Sequence, residues 1–91
     1  MPNLATMSAT KIRALADKRN AAHLVNINRV IAVGGGNLTG SDIRAIAASN
    51  ATHSDIARDW VATSNALQSV YDEMDARERW HGGMQPIRKR A

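Results

Sequence analysis

The segment from Val33 to Asp42, VGGGNLTGSD, contains the residue types that form anion-binding turns. Backbone N–H groups of a glycine turn and of a helix amino terminus attract phosphate. The residues that would supply them are Gly35, Gly36, Thr39, Gly40 and Ser41. The segment lacks the lysine that a P-loop places before its serine, and it contains no GxGxxG pattern. We therefore interpret it as a connection between two helices, with a phosphate or nucleotide site as an alternative.

A second candidate is the segment from Ser41 to Val61, which is similar to a helix-turn-helix: a short alanine-rich helix, a turn near Asn50 and a second helix. In that reading the start of the second helix faces the DNA major groove. Its exposed positions would be His53, Ser54, Asp55 and Arg58. Only Arg58 among them is basic, so a DNA-binding regulator is an alternative function and not the leading one.

The two ends of the chain are basic. Residues 1–33 carry a net charge of +4, residues 34–81 of −3, and the tail from residue 82 of +3, within a total of +4. Basic side chains can neutralise phosphates, and an exposed tryptophan can stack on bases. The residues predicted to contact nucleic acid or an acidic partner are Arg77, Arg79, Trp80, Arg88, Lys89 and Arg90.

The sequence gives little support for catalysis. His23, His53 and His81 have no spacing that places two metal ligands on one helix face, and no serine has the context of a nucleophile. The chain contains no cysteine, which excludes disulfides, zinc thiolates and a cysteine nucleophile. We predict a protein that is not an enzyme and has no metal or cofactor.

A periodic apolar ladder organises the chain. Positions spaced four and three residues apart predict one long helix from Thr52 to His81, with Thr63 filling a gap in the apolar face. The members of this ladder are Ile56, Trp60, Leu67, Val70 and Met74. Thr52 with Asp55, and Thr39 with Asp42, have the spacing of capping boxes. The second pair predicts a short helix from residue 41 or 42 to about Ser49.

An earlier helix is predicted from a cap at Ser8 or Thr10 to about Val33. Its second half, LVNINRVIAV, is rich in β-branched residues, yet no second strand is available to pair with it, so helix is preferred. Because residues 24–33 are apolar on most sides, we expect them to be heavily buried, either within the chain or between subunits. Gly34 to Gly36 should end this helix. Its basic start should lie beside the acidic end of the last helix, from Asp72 to Glu78.

These elements predict an all-α fold in which two long antiparallel helices and a short connecting helix are completed as a bundle by oligomerisation. The divisions are a flexible segment 1–8, a helical domain 9–81 and a basic tail 82–91. The predicted oligomer interface consists of Ile27, Val30, Ile31, Ile56, Trp60, Leu67, Val70 and Met74. A homo-oligomeric interaction or assembly protein fits best. Its size and composition suit a phage-type structural or accessory protein.

The predicted location follows from what the sequence lacks. The chain contains no apolar run of the ~18 residues that a bilayer span requires. We therefore predict no membrane partner. A cytoplasmic location is expected, or a place in the virion if the protein comes from a phage.

Overall fold

A computed structural model describes the chain from Asn3 to His81, with side chains as far as Glu78. The described residues form a 3₁₀ turn, Leu4–Thr6, and three α-helices: α1 (Ala9–Ala32), α2 (Gly40–Ala47) and α3 (Ser54–His81). This part of the chain contains no strand. Helices α1 and α3 form an antiparallel hairpin, and α2 packs against α3 beside the carboxyl end of α1. The predicted all-α hairpin with a short connecting helix is confirmed.

Helix α1 begins and ends where local chemistry predicts. The Ser8 hydroxyl accepts a hydrogen bond from the backbone N–H of Lys11 at 3.2 Å, which satisfies one free donor of the first turn. At the other end, Gly35 N–H bonds to Val30 O and Gly34 N–H to Ile31 O, and Gly34 has a φ of 91°. This pair of bonds is a Schellman motif, which requires left-handed backbone at Gly34. Residues 24–32 are helical, as expected.

The two predicted capping boxes have different outcomes. Thr39 and Asp42 form one, because each side chain accepts a hydrogen bond from the other residue's backbone N–H, at 3.0 and 3.1 Å. Thr52 and Asp55 do not open α3, which begins two residues after Thr52. His53 precedes it with a φ of 69°. The chain therefore enters α3 through a left-handed residue instead of a capping threonine.

Two separate apolar clusters hold the hairpin at its ends. Near the amino end of α1, Ile12 and Ala16 pack on Val70, which is 0% exposed. Near its carboxyl end, Val30 packs with Ile43 and Ala57. The ladder of α3 supplies both clusters: Met74 joins the first, Ile56 and Trp60 join the second, and Leu67 is buried between them.

The ladder of α3, which is part of the predicted oligomer interface, packs within its own chain, where Leu67 and Val70 are buried and Ile56, Trp60 and Met74 are half-buried. The same holds for Val30 of α1. Ile27 is half-buried, and Ile31 is the one residue of the predicted interface that stays exposed in the single chain. Residues 24–33 are only partly buried in the single chain, and their burial between subunits stays a prediction. In this stretch Asn26 and Val30 are buried, while Leu24, Val25, Ile31 and Val33 are exposed.

The amino-terminal segment, which the sequence predicts to be flexible, contacts the cation of Arg77 on α3. Arg77 donates hydrogen bonds to Leu4 O at 2.8 Å and Met7 O at 2.6 Å, and it forms an ion pair with Glu73 at 2.8 Å. The side chains of Leu4 and Met7 pack on the first apolar cluster. We call residues Asn3–Met7 the amino-terminal strap.

Direct ion pairs between the basic start of α1 and the acidic end of α3 do not form. Within residues 3–78, the pairs with N···O distances up to 4 Å are Arg29 with Asp59 and Arg77 with Glu73. Glu73 is thus neutralised from its own helix, and Asp72 accepts a hydrogen bond from Gln68. Exposed charges several ångströms apart stay hydrated, since fixing long side chains in a pair contributes little net free energy.

Candidate functional site

The outward surface of α1 is apolar. Leu24, Val25 and Ile31 are 49%, 60% and 54% exposed, respectively. Asn28 and Ala32 are also exposed and lie on the same side, because residues three and four positions apart are neighbours on a helix surface. We call Leu24, Val25, Asn28, Ile31 and Ala32 the outer patch. Contiguous apolar surface of this kind commonly marks an interaction site.

The outer patch belongs to a long uncharged stretch. From Asn20 to Ser41, 22 residues, the only Lys, Arg, Asp or Glu is Arg29. Its guanidinium forms an ion pair with Asp59 of α3 at 2.9 Å, so that charge is compensated within the chain. The patch consequently presents no uncompensated acidic or basic side chain of its own. Charged residues are depleted from the centres of protein interfaces in the same way.

A depression continues the outer patch toward α2. Its lining includes Ile27 and Ile31 of α1, Leu38 of the connecting loop, Ile43 of α2 and Trp60 of α3. Leu38 is 40% exposed. A second cavity of about 110 Å³ lies beneath the loop, between Val30, Leu38, Ile43, Ile56 and their neighbours. The apolar surface therefore extends from α1 across the glycine loop.

Several backbone donors of the glycine loop are bonded within the chain. Thr39 N–H and Asp42 N–H, two of the donors that an anion would use, are bonded within the capping box. The Asp42 carboxylate also lies at the amino end of α2, where it compensates the positive end of the helix dipole. A Cβ on Gly35 would come within 2.5 Å of a Val30 methyl, so close packing already requires that glycine. The Asp42 carboxylate therefore disfavours an anion at this helix end, and the phosphate-binding alternative, which would use Gly36, Gly40 and Ser41, stays a prediction.

The segment that suggested a helix-turn-helix does form two helices, but the connection between them spans six residues, 48–53. Arg58, the basic residue that was expected to read DNA, donates to the backbone carbonyl of Ala47 at 3.4 Å. Asp59 beside it pairs with Arg29. His53, Asp55 and the exposed Arg58 lie at the start of α3, with Ser54 half-buried. This surface is mixed in charge instead of basic.

Between the two apolar clusters, α1 and α3 are joined by hydrogen bonds. Asn26, 7% exposed, donates to Asp59 O and to Thr63 Oγ1, both at 3.1 Å, and accepts from Arg29 at 3.0 Å. His23 Nδ1 lies 2.7 Å from Thr63 Oγ1. We call His23, Asn26, Arg29, Asp59 and Thr63 the polar seam. Its bonds satisfy the buried amide, which makes it a structural element of the hairpin.

Further contacts between α1 and α3 flank the polar seam. Arg19 donates to Ala66 O at 2.7 Å, which anchors α1 to the next turn of α3. The His23 ring packs against Trp60 with the centroids 5.1 Å apart, and Arg44 lies 6.0 Å from the same indole. Burial lowers the pKa of the His23 imidazole below its ordinary value, because an apolar neighbour disfavours the charged ring. The shift favours the neutral imidazole.

The residues predicted to contact nucleic acid or an acidic partner lie in two parts of the chain. Arg77 is engaged with the amino-terminal strap and with Glu73. The side chains of Arg79 and Trp80, and the tail residues Arg88, Lys89 and Arg90, lie outside the described part of the chain. Exposed basic side chains on the described surface are Lys11, Arg13 and Lys18 at the start of α1, together with Arg44 and Arg58.

Two features of this surface are visible in the sequence but are not part of its apolar periodicity. Arg19, His23, Asn26 and Val30 are spaced four, three and four residues apart, which places the polar seam on the same face as a core residue. The uncharged stretch from Asn20 to Ser41 can also be read from the sequence.

In the described residues, no three His, Asp or Glu side chains converge as a metal site would require, and no helix is long and apolar enough to cross a bilayer.

Comparison of the chain with protein-family models, with curated proteins and with solved structures finds no match.

Proposed function

We propose that this protein is a non-enzymatic helical assembly protein that associates with its own copies through the outer patch of α1. The observation that carries the proposal is the exposure of Leu24, Val25 and Ile31, by about half each, in a segment whose single charge is neutralised internally. Large apolar side chains are favourably removed from water, and a surface without charge can approach its own copy without electrostatic repulsion.

The small size of the apolar core supports the same proposal. Among the described residues, seven apolar side chains are buried, and two of these seven, Ala16 and Ala57, are only alanine. A domain of this size has a net stability of only a few kcal/mol, roughly 0.05–0.15 kcal/mol per residue. Association that buries further apolar surface stabilises the folded state by mass action.

Substitution of Ile31 by glutamate should dissociate the assembly. The change places a charge in the middle of an apolar contact, where it must be dehydrated on association. Light scattering coupled to size exclusion, at low and high salt, should show a defined oligomer for the original protein and a monomer for Ile31→Glu. Ala62→Glu is the matched control, because Ala62 is exposed on α3, away from α1. A monomer at all concentrations of the original protein would contradict the proposal.

We further propose that the basic ends contact nucleic acid or an acidic partner. The residues are the tail cations Arg88, Lys89 and Arg90, with the exposed start of α1 on the described surface. Replacing the three tail cations by alanine should weaken binding to an oligonucleotide, measured by fluorescence anisotropy, and should flatten its salt dependence by up to ~3 units of log–log slope. Arg58→Ala should leave affinity unchanged. The opposite pattern would favour a helix-turn-helix regulator.

A further inference from the structure

Asn28 lies at the centre of the outer patch. Its four neighbours on the helix surface, three and four residues away in each direction, are Leu24, Val25, Ile31 and Ala32, and all are apolar. All five residues are exposed in the single chain. A side-chain amide carries both donors and an acceptor, so two such groups facing each other across a two-fold axis can exchange hydrogen bonds.

We infer that the occupant of the outer patch is a second copy of this chain, placed so that the two α1 helices run antiparallel and cross at Asn28. The inference rests on the proposed self-association and adds its geometry. The two amides pair across the axis, while Val25 of each copy meets Ile31 of the other. A single polar residue within an apolar helix contact fixes the register, because any shift leaves the amide without a partner.

Charge decides the direction of the pair. Lys11, Arg13 and Lys18 are exposed on the first half of α1. A parallel pair would bring each of them to about 10 Å from its copy, the usual separation of packed helix axes. An antiparallel pair centred on Asn28 separates Lys18 from its copy by about 30 Å along the axis. The repulsion is screened at about 30 Å, nearly four Debye lengths of ~8 Å at physiological salt, but only partly screened at about 10 Å.

Single cysteine variants test this geometry directly, since the chain has no cysteine of its own. Helices packed 8–10 Å apart bring the Cα atoms on the axis to roughly 4–6 Å, within the range that a disulfide spans. We expect Asn28→Cys to give a covalent dimer on a non-reducing gel after mild oxidation. Ala21→Cys, one heptad earlier on the same side of α1, should not, because its copy would lie about 21 Å away along the axis. Ala62→Cys on α3 should also stay monomeric on the gel.

The outcomes separate this inference from the proposed function. A protein that is oligomeric by light scattering but shows no cross-link at Asn28→Cys overturns the geometry and leaves self-association standing. Cross-linking of Ala21→Cys as readily as Asn28→Cys also overturns it, in favour of a parallel pair. A protein that is monomeric throughout overturns both proposals, and the outer patch is then the docking site of a different protein.

Discussion

Replacing Asn26 by alanine should lower the free energy of unfolding by about 2–3 kcal/mol, since it removes three hydrogen bonds from the buried middle of the hairpin. The substitution leaves Asp59 O, the Thr63 hydroxyl and the Arg29 guanidinium each with one partner fewer. With a urea m-value of about 1–1.5 kcal/mol/M for a chain of this size, the midpoint should fall by roughly 2 M. Urea unfolding followed by circular dichroism at fixed protein concentration measures it.

Asn20→Ala provides the control for this prediction. Asn20 is exposed on the same helix, and alanine has the higher helix propensity, so stability should be unchanged or raised by up to about 0.5 kcal/mol. Equal losses for the two variants would mean that the polar seam contributes nothing specific. No loss for Asn26→Ala would mean that apolar contacts alone hold α1 against α3.

Replacing Gly35 by alanine should have a comparable effect, for a steric reason. The new Cβ would lie 2.5 Å from Val30 Cγ1 and 2.9 Å from Val30 O, and Val30 belongs to the buried cluster with Ile43 and Ala57. Neither a backbone carbonyl nor a packed valine can move at low cost, so overpacking should cost about 2–3 kcal/mol. The melting temperature should fall by roughly 10–20 °C, as 1 kcal/mol corresponds to 4–8 °C in small domains.

The neighbouring glycines are matched controls for Gly35. A Cβ at Gly36 meets no atom within 4 Å and no positive φ is required there, so Gly36→Ala should be neutral or should stabilise by up to ~1 kcal/mol. Gly34→Ala has space but must take a φ of 91°, which should cost about 1–2 kcal/mol. A loss at Gly36 equal to that at Gly35 would contradict the role assigned to the Val30 contact.

Features of this fold that depend on nearby residues were predictable from the sequence. The glycine stop after α1 and the Thr39–Asp42 capping box are both local, because their hydrogen bonds join residues three to five positions apart. The ladder of α3 was also predictable, since helical periodicity fixes which side chains share a face. Thr63 occupies the one polar position of the ladder's face, and its hydroxyl accepts a hydrogen bond from Asn26 of α1.

Features that depend on tertiary geometry were not predictable in this way. Thr52 and Asp55 have the same spacing as Thr39 and Asp42, but the left-handed backbone at His53 brings the chain into α3 later. Arg77 was expected to contact a partner, and it instead reaches two backbone carbonyls more than 60 residues earlier in the chain. Asn20, Asn26 and Asn28 are identical in type, and only the packing of α3 distinguishes the buried one from the others.

The contacts that define this hairpin join residues that are far apart in the order of synthesis. Hydrogen bonds between α1 and α3 span 30–47 positions, and those from Arg77 to the amino-terminal strap span 70 and 73. A ribosome therefore completes α1 well before any residue of α3 emerges to bind it, and the strap gains its cation only after position 77 has been added. Of the three helices, α1, which carries most of the uncharged stretch, is synthesised first and is the longest without its tertiary contacts.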